Sequence, residues 1–144
     1  MAEPRRGFKT LNAWQRADEL ASLVFREAER LSARHNWLAS QMMRSAVSVP
    51  ANIAEGYGRG SQADYLRFLD IARGSLAELE YYIHFVKKEK LFSEDSCRQL
   101  DLLRTDTGRL LFGLWQSLKM KPKASWDHTG QGVREIGFDY EIAD

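Results

Sequence analysis

Four stretches of this chain repeat apolar residues at intervals of three and four, and only short connections separate them. That spacing puts apolar side chains on one face of an α-helix, so each stretch predicts an amphipathic helix. Short connections make consecutive helices antiparallel neighbours. The predicted fold is therefore all-α, an antiparallel up-down-up-down four-helix bundle over residues 8–119, followed by a C-terminal tail over residues 120–144.

Polar residues at the ends of these stretches predict where the helices begin. Asn12, Ser61 and Ser93 each precede an apolar repeat and are residue types that cap helix N-termini. Asp64 follows Ser61 by three residues, which resembles a capping box. The expected helices run from 12 to about 32–36, 37 to about 57, 61 to about 90, and 93 to about 119.

Pro50 lies inside the second helical stretch. Proline lacks an amide donor and clashes with the carbonyl four residues earlier, here that of Ala46, which costs about 3 kcal/mol or more inside a helix. Residues 51–55 nevertheless continue the apolar repeat in phase. We therefore expect a kink and not a stop, with the hydroxyls of Ser45 and Ser48 bonding the carbonyls left unpaired.

Glycines predict both a turn and a close helix contact. Gly56, Gly58 and Gly60 should end the second helix, since glycine reaches the left-handed conformation without a steric penalty. Gly74 falls in the middle of the third helix, where glycine costs up to about 1 kcal/mol relative to alanine. We expect this cost to be offset by close approach of the second helix near Ser45 and Ala46.

Composition bounds the protein class. Apolar residues make up 44% and charged residues 28% of 144 residues, values typical of a folded globular domain. The single cysteine, Cys97, excludes an intramolecular disulfide and is expected to be a half-buried helix residue. The first residues contain no apolar segment and no stretch is long enough to span a membrane. The expected location is the cytoplasm.

The sequence offers little for catalysis. The three histidines, at 35, 84 and 128, lack the spacing of a helical metal site, and the paired glutamates at 78 and 80 point in different directions on a helix. The glycines at 56, 58 and 60 join two helices and lack the lysine that ends a phosphate loop. We expect no enzymatic activity, no cofactor and no metal.

Arginine and tyrosine residues favour a nucleic-acid interface. Net charge is only +1, so any such site must be local. Guanidinium groups beside aromatic rings are typical of surfaces that bind RNA or single strands. An alternative is that Arg67 and Arg73 pair with Glu55, Asp64 or Asp70 inside the hairpin of the second and third helices. The candidate binding residues are Arg44, Tyr57, Arg59, Arg67 and Arg73.

Surplus apolar positions predict self-association. The helices carry more large apolar residues than one seam requires, so area remains for a second interface. The tail is expected to be flexible or docked on a partner, because it combines five acids with Trp126, Phe138, Tyr140 and Ile142. The surplus positions are Leu20, Leu23, Phe25, Met43, Tyr81, Tyr82, Phe85, Phe112 and Trp115.

Three segments resemble a known family. They read LNAWQRADEL, QMMRSAVSVPANIAEGYGRGS and YLRFLDIARGSLAELEYYI, and they are similar to the four-helix-bundle proteins encoded in intervening sequences of bacterial 23S ribosomal RNA genes. The resemblance spans about residues 8–119 and implies no established enzymatic activity. The tail after Met120 departs from the family's usual shorter ending. The motif positions singled out are Pro50, Asn52, Glu55, Gly56, Arg59, Arg73, Gly74 and Glu80.

That family is in turn similar to the accessory variability proteins of diversity-generating retroelements. This similarity implies a homopentameric barrel of bundles that binds nucleic acid and, in that system, a reverse transcriptase. Two functions are therefore expected to compete. One is a non-enzymatic oligomeric module that binds RNA or DNA, or assembles ribonucleoprotein. The other is a structural or protein-interaction module without nucleic acid.

Overall fold

The computed structural model describes residues 6–122, and nearly all of them lie in helices. A 3-10 helix, Gly7–Thr10, precedes α1, and a second, Ala33–His35, precedes α2. None of the helices in residues 6–122 has the length and hydropathy that a membrane span requires. The α-helices are α1 (Asn12–Ala28), α2 (Asn36–Tyr57), α3 (Gln62–Lys88) and α4 (Glu94–Lys119).

The four helices form a bundle in which each packs mainly on two neighbours. α1 lies against α2 and α4, and α3 lies against the same two helices. Between α2 and α3, Arg44 pairs with Glu78 and Ser48 with Ser75, so residue numbers rise on one helix as they fall on the other. Gln62 reaches Leu118 across α3 and α4 in the same opposed sense. The predicted all-α four-helix fold is confirmed.

The core is one continuous apolar layer along the bundle axis. Every helix contributes residues that are almost completely buried, among them Leu20, Met42, Leu69 and Leu111. Burying one such side chain stabilises the fold by about 1.5–3 kcal/mol. Leu20 and Leu23, which the sequence suggested for a second interface, lie inside this core. They are not available for self-association, because α1 uses them against α2 and α4.

α2 continues through Pro50, as predicted. The Asn52 amide donates to the Ser48 carbonyl oxygen at 2.7 Å and to the Ser48 hydroxyl at 2.9 Å. Ser45 donates to the Met42 carbonyl at 3.0 Å, while the Ser48 hydroxyl pairs with that of Ser75 at 2.8 Å. The Ser45 and Ser48 hydroxyls therefore bond Met42 and Ser75, and not, as predicted, the Ala46 carbonyl that Pro50 leaves unpaired. Asn52 bonds Ser48 across the proline.

The close helix contact occurs at Gly56 and not at Gly74. A Cβ on Gly56 would lie 2.9 Å from the Cβ of Phe68 and 3.2 Å from the Tyr65 carbonyl oxygen. A Cβ on Gly74 would meet no atom within 4 Å. The prediction that Gly74 contacts the Ser45–Ala46 region is wrong, because Gly74 lies on the exposed side of α3.

The helix ends correct two further predictions. Gly58 caps α2 at φ −80°, in the right-handed region, so the predicted left-handed cap is absent from this turn. α1 is capped by Leu11, and Asn12 is its first helical residue. Ser61 and Ser93 do cap α3 and α4, accepting from the amides of Asp64 and Ser96, as predicted. The tail residues 123–144, including Trp126 and His128, lie outside the described residues.

Candidate nucleic-acid interface

One half of the bundle gathers the connection between α2 and α3 and the C-terminal end of α4. The Gln62 amide, at the start of α3, donates to the Leu118 carbonyl and to that of Lys121 at 2.8 Å. Because Gln62 is buried, these bonds fix the end of α4 against α3. Two clusters of cations and aromatic rings lie in this half.

The Phe68 cluster consists of Arg59, Arg67 and Phe68. The guanidinium carbon of Arg59 lies 4.6 Å, and that of Arg67 4.5 Å, from the centre of the Phe68 ring. Each such contact contributes about 0.5–1 kcal/mol at an exposed site. Phe68 is positioned by the Gly56 contact at its Cβ. The cluster therefore depends on the same close approach that joins α2 to α3.

The Trp115 cluster consists of Arg73, Phe112, Trp115 and Lys119. Phe112 and Trp115 stack with ring centres 5.9 Å apart and an interplanar angle of 22°. Arg73, from α3, lies 4.6 Å from the Trp115 ring and 5.4 Å from the Phe112 ring, and Lys119 lies 4.6 Å from Trp115. This cluster presents two cations and two rings between α3 and α4.

The arginines of both clusters also have acidic partners. Arg59 pairs with Glu55 at 2.6 Å, Arg67 with Asp64 at 3.7 Å and Arg73 with Asp70 at 3.6 Å. The side chains of the four predicted arginines remain between 39% and 58% exposed. Exposed pairs of this kind are worth about 0–1 kcal/mol, so a phosphate can compete for the same guanidinium groups.

Two of the five predicted binding residues lie apart from these clusters. Arg44 pairs with Glu78 and Gln41 farther along the α2–α3 seam. The Tyr57 ring is 8% exposed and packs edge-on against Tyr65 at 6.3 Å, so it contributes to the core. The structure thus brings Arg59 and Arg67 together and puts Arg73 on a neighbouring side of α3.

Sequence reasoning missed the rings that these cations contact. The sequence indicates Phe112 and Trp115 only as surplus apolar positions. It points to no site that includes Phe68 or Lys119. The spacing of Trp115 and Lys119, four residues apart on one helix, is a usable signal. The contact of Arg73 with Trp115 joins two helices and has no local signal.

Glu78 lies in a small polar group on the α2–α3 seam. Tyr82 donates its phenolic proton to Glu78 at 3.1 Å, and Arg44 contacts the same carboxylate oxygen. Burial, followed by the hydrogen bond that Tyr82 donates to Glu78, raises the pKa of Tyr82 above its usual value. Glu80, another motif position, pairs instead with Arg104 of α4 at 3.5 Å.

The Cys97 thiol, which was considered for catalysis, lies in the core. Cys97 is 2% exposed, deeper than the half-buried position expected, and burial raises the pKa of its thiol. In the part of the chain that the structure describes, no three metal-ligating side chains cluster. An open groove of about 980 Å³ runs along α4. Its lining mixes cations with acids, namely Arg16, Arg98 and Arg109 with Asp101 and Asp106.

A separate group of exposed rings lies at the other end of the α2–α3 pair. Trp37 and Tyr81 are each 57% exposed. Phe85 contacts both, with ring centres 6.2 Å from Trp37 and 6.3 Å from Tyr81. These three residues form what we call the Trp37 cluster. Its members lack the cation contacts that distinguish the other two clusters within residues 6–122.

Comparison with known proteins agrees with the fold and with the motif segments. A solved structure, a protein of unknown function from the S23 ribosomal protein family of Bacteroides thetaiotaomicron VPI-5482, matches with a TM-score of 0.68. Identity is 22%, and the match covers 72% of this chain and 98% of that one. No curated protein matches the chain. Because the model of the family 23S rRNA-intervening sequence protein matches residues 9–113, the chain belongs to that family.

Proposed function

We propose that this protein is a non-enzymatic RNA-binding bundle that contacts RNA through the Phe68 and Trp115 clusters. The observation that carries the proposal is the set of exposed cations lying 4.5–4.6 Å from aromatic rings in one half of the molecule. The family description, 23S rRNA-intervening sequence protein, also refers to an RNA and in that way supports RNA as the proposed ligand.

The chemistry of the two clusters suits single-stranded or irregular RNA. Arginine binds phosphate through two parallel N–H groups, and its ring contact holds it in place without consuming those donors. Bases stack on exposed Phe and Trp faces with about 1–3 kcal/mol per base, largely independent of sequence. The surface therefore favours binding with little sequence preference and with strong salt dependence.

Self-association is part of the proposal. The Trp37 cluster, together with exposed Phe25 and Val47, supplies apolar area that a monomer leaves in water. The family resemblance implies a homopentamer related to retroelement accessory proteins. A ring of bundles would repeat the Phe68 and Trp115 clusters around one axis and multiply a weak contact.

Fluorescence anisotropy with a labelled single-stranded RNA, repeated over a salt series, tests the proposal. We expect affinity to fall steeply with salt, and Arg67→Gln with Arg73→Gln to weaken binding by about 10-fold and reduce the salt slope. Arg30→Gln with Arg98→Gln is the matched control. These two arginines form the same exposed i,i+3 pairs but, among residues 6–122, lie over no ring.

Equal affinity of the test and control variants would contradict the proposed surface, and absence of RNA or DNA binding at low salt would contradict the function.

The second candidate is a protein-interaction module, which the Trp37 cluster favours. Affinity capture with and without nuclease separates the two, since a partner held through RNA is lost on digestion and a direct partner is kept. Light scattering measures the assembly state; a monomer at micromolar concentration would contradict the ring.

A further inference from the structure

The Trp115 cluster carries more positive charge than its surroundings compensate. Arg73 has an acidic neighbour, Asp70, at 3.6 Å. Lys119 forms no ion pair within residues 6–122, and its ammonium group lies over the Trp115 ring. Lys121 adds a further cation two residues beyond Lys119, while Arg109, earlier on α4, is paired with Asp106 at 2.8 Å. The surface is therefore basic, partly aromatic and open.

The same chain contains a segment of complementary chemistry. Residues 138–144 read FDYEIAD, in which Phe138, Tyr140 and Ile142 alternate with Asp139 and Glu141. The segment has three acids and no base. Such a segment can present rings to a ring surface and carboxylates to flanking cations.

We propose that residues 138–144 dock on the Trp115 cluster of their own chain. The carboxylates of Asp139 and Glu141 pair with Lys119 and Arg73, and the rings of Phe138 and Tyr140 cover the exposed faces of Phe112 and Trp115. Both contacts are of kinds that contribute at exposed sites, namely charge-assisted hydrogen bonds and aromatic packing. The bound form removes apolar ring surface from water.

The position where the described chain leaves the bundle favours docking within one chain. Gln62 holds the Lys121 carbonyl at 2.8 Å, so the connection over residues 123–137 starts one turn beyond Lys119. Trp115 lies about 6 Å farther back along the helix axis, at 1.5 Å per residue. An unstructured chain of about 15 residues has a typical span of roughly 20 Å, which exceeds that separation, and a tether of this length gives an effective concentration in the millimolar range.

Docking has a consequence that rests on the proposed function. The segment occupies the cations and rings that RNA would contact, so it competes with RNA for the Trp115 cluster. If the segment is docked in about two thirds of the molecules, only about one third are free to bind RNA at this cluster, which lowers the apparent affinity about threefold. Asp139→Asn with Glu141→Gln should therefore raise RNA affinity by about that factor. Asp127→Asn with Glu135→Gln removes the same charge outside the segment and should leave affinity unchanged.

A spin label tests docking without any RNA. Ala143→Cys provides a labelling site, since the buried Cys97 thiol reacts slowly, and mass spectrometry verifies a single label. In the full-length ¹⁵N-labelled protein, the indole N–H signal of Trp115 should broaden while that of Trp37, at the other end of α2, should not. Adding Asp139→Asn with Glu141→Gln should largely restore the Trp115 signal, and the Asp127→Asn, Glu135→Gln control should not.

Three outcomes would overturn the proposal. The first is an unbroadened Trp115 signal, and the second is equal broadening in the test and control variants. The third is comparable broadening when spin-labelled ¹⁴N protein is mixed with unlabelled ¹⁵N protein, which would mean docking between copies. The RNA and spin-label results are independent: absence of RNA binding with broadening of Trp115 would contradict the proposed function and support the docked segment.

Discussion

The α2–α3 seam and the α3–α4 seam use different sides of α3 and different kinds of residue. On the α2 side, contacts involve small groups: Gly56 against Phe68, and the Ser48 hydroxyl against that of Ser75 at 2.8 Å. On the α4 side, Arg73 reaches across to Trp115 at 4.6 Å. Small residues let two helices approach closely, whereas long cationic side chains and aromatic rings pack on each other at the surface of the bundle. The closest helix contact therefore lies on the α2–α3 seam, whereas the proposed RNA contacts lie in the Phe68 cluster beside that seam and in the Trp115 cluster on the α3–α4 seam.

Substitution of Gly56 should have the largest effect. Gly56→Ala puts a Cβ 2.9 Å from the Phe68 Cβ, an atom fixed by its own helix backbone. Overpacking of this kind costs about 1–3 kcal/mol, and we expect the upper part of that range. Chemical denaturation measures the free energy of unfolding.

Gly74→Ala is the matched control and should act in the opposite direction. Its Cβ meets no atom within 4 Å, and alanine favours a helix over glycine by up to about 1 kcal/mol. A destabilised Gly74→Ala variant, or a Gly56→Ala variant of native stability, would contradict the assignment of the tight contact to the α2–α3 seam.

Loss of a polar residue inside α2 and loss of one that joins α3 to α4 should destabilise different parts of the bundle. Asn52→Ala removes two bonds to Ser48 inside α2 and should cost about 1–2 kcal/mol of global stability. Gln62→Ala removes the bonds to the Leu118 and Lys121 carbonyls and should release the end of α4 locally.

Hydrogen exchange distinguishes these two effects. In Gln62→Ala, amides of residues 116–121 should exchange faster while the rest of the bundle keeps its protection. In Asn52→Ala, the most protected amides of all four helices should accelerate together. Uniform acceleration in both variants would mean that the α3–α4 end is not a separately opening unit.

Thr107 offers a smaller, stabilising change within the core of α4. Its hydroxyl is fully buried and has no hydrogen-bond partner among residues 6–122. Thr107→Val keeps the branched shape and removes the unpaired hydroxyl, so stability should rise by about 1 kcal/mol. Thermal unfolding measures the gain, and Thr105→Val, at an exposed position of the same helix, is the control. A loss of stability in Thr107→Val would show that the hydroxyl is satisfied by a group outside these residues.

The sequence predicted the helices well because each apolar repeat reports a buried face directly. It also predicted the caps at Ser61 and Ser93, since those bonds are local. The sequence does not distinguish Gly56 from Gly74 as a site of close helix contact. The difference lies in what faces each one, which is Phe68 for Gly56 and solvent for Gly74. The Trp115 cluster escaped prediction for the same reason, because Arg73 and Trp115 are distant in the chain.

Titration of Tyr82 is expected to give the smallest effect and tests the polar group on the α2–α3 seam. Burial and the hydrogen bond to Glu78 raise its pKa above 10.0 in the folded protein. A raised folded-state pKa means that the folded state holds the phenolic proton more tightly than the unfolded state. The resulting stabilisation is complete below the unfolded-state pKa near 10 and is lost as pH rises through the higher folded-state value. The difference in unfolding free energy between wild type and Tyr82→Phe, measured from pH 8 to pH 11, should therefore stay constant up to about pH 10 and then fall. Tyr81→Phe in the Trp37 cluster serves as a comparison, and a wild-type advantage that grows above pH 10 would contradict the Tyr82–Glu78 contact.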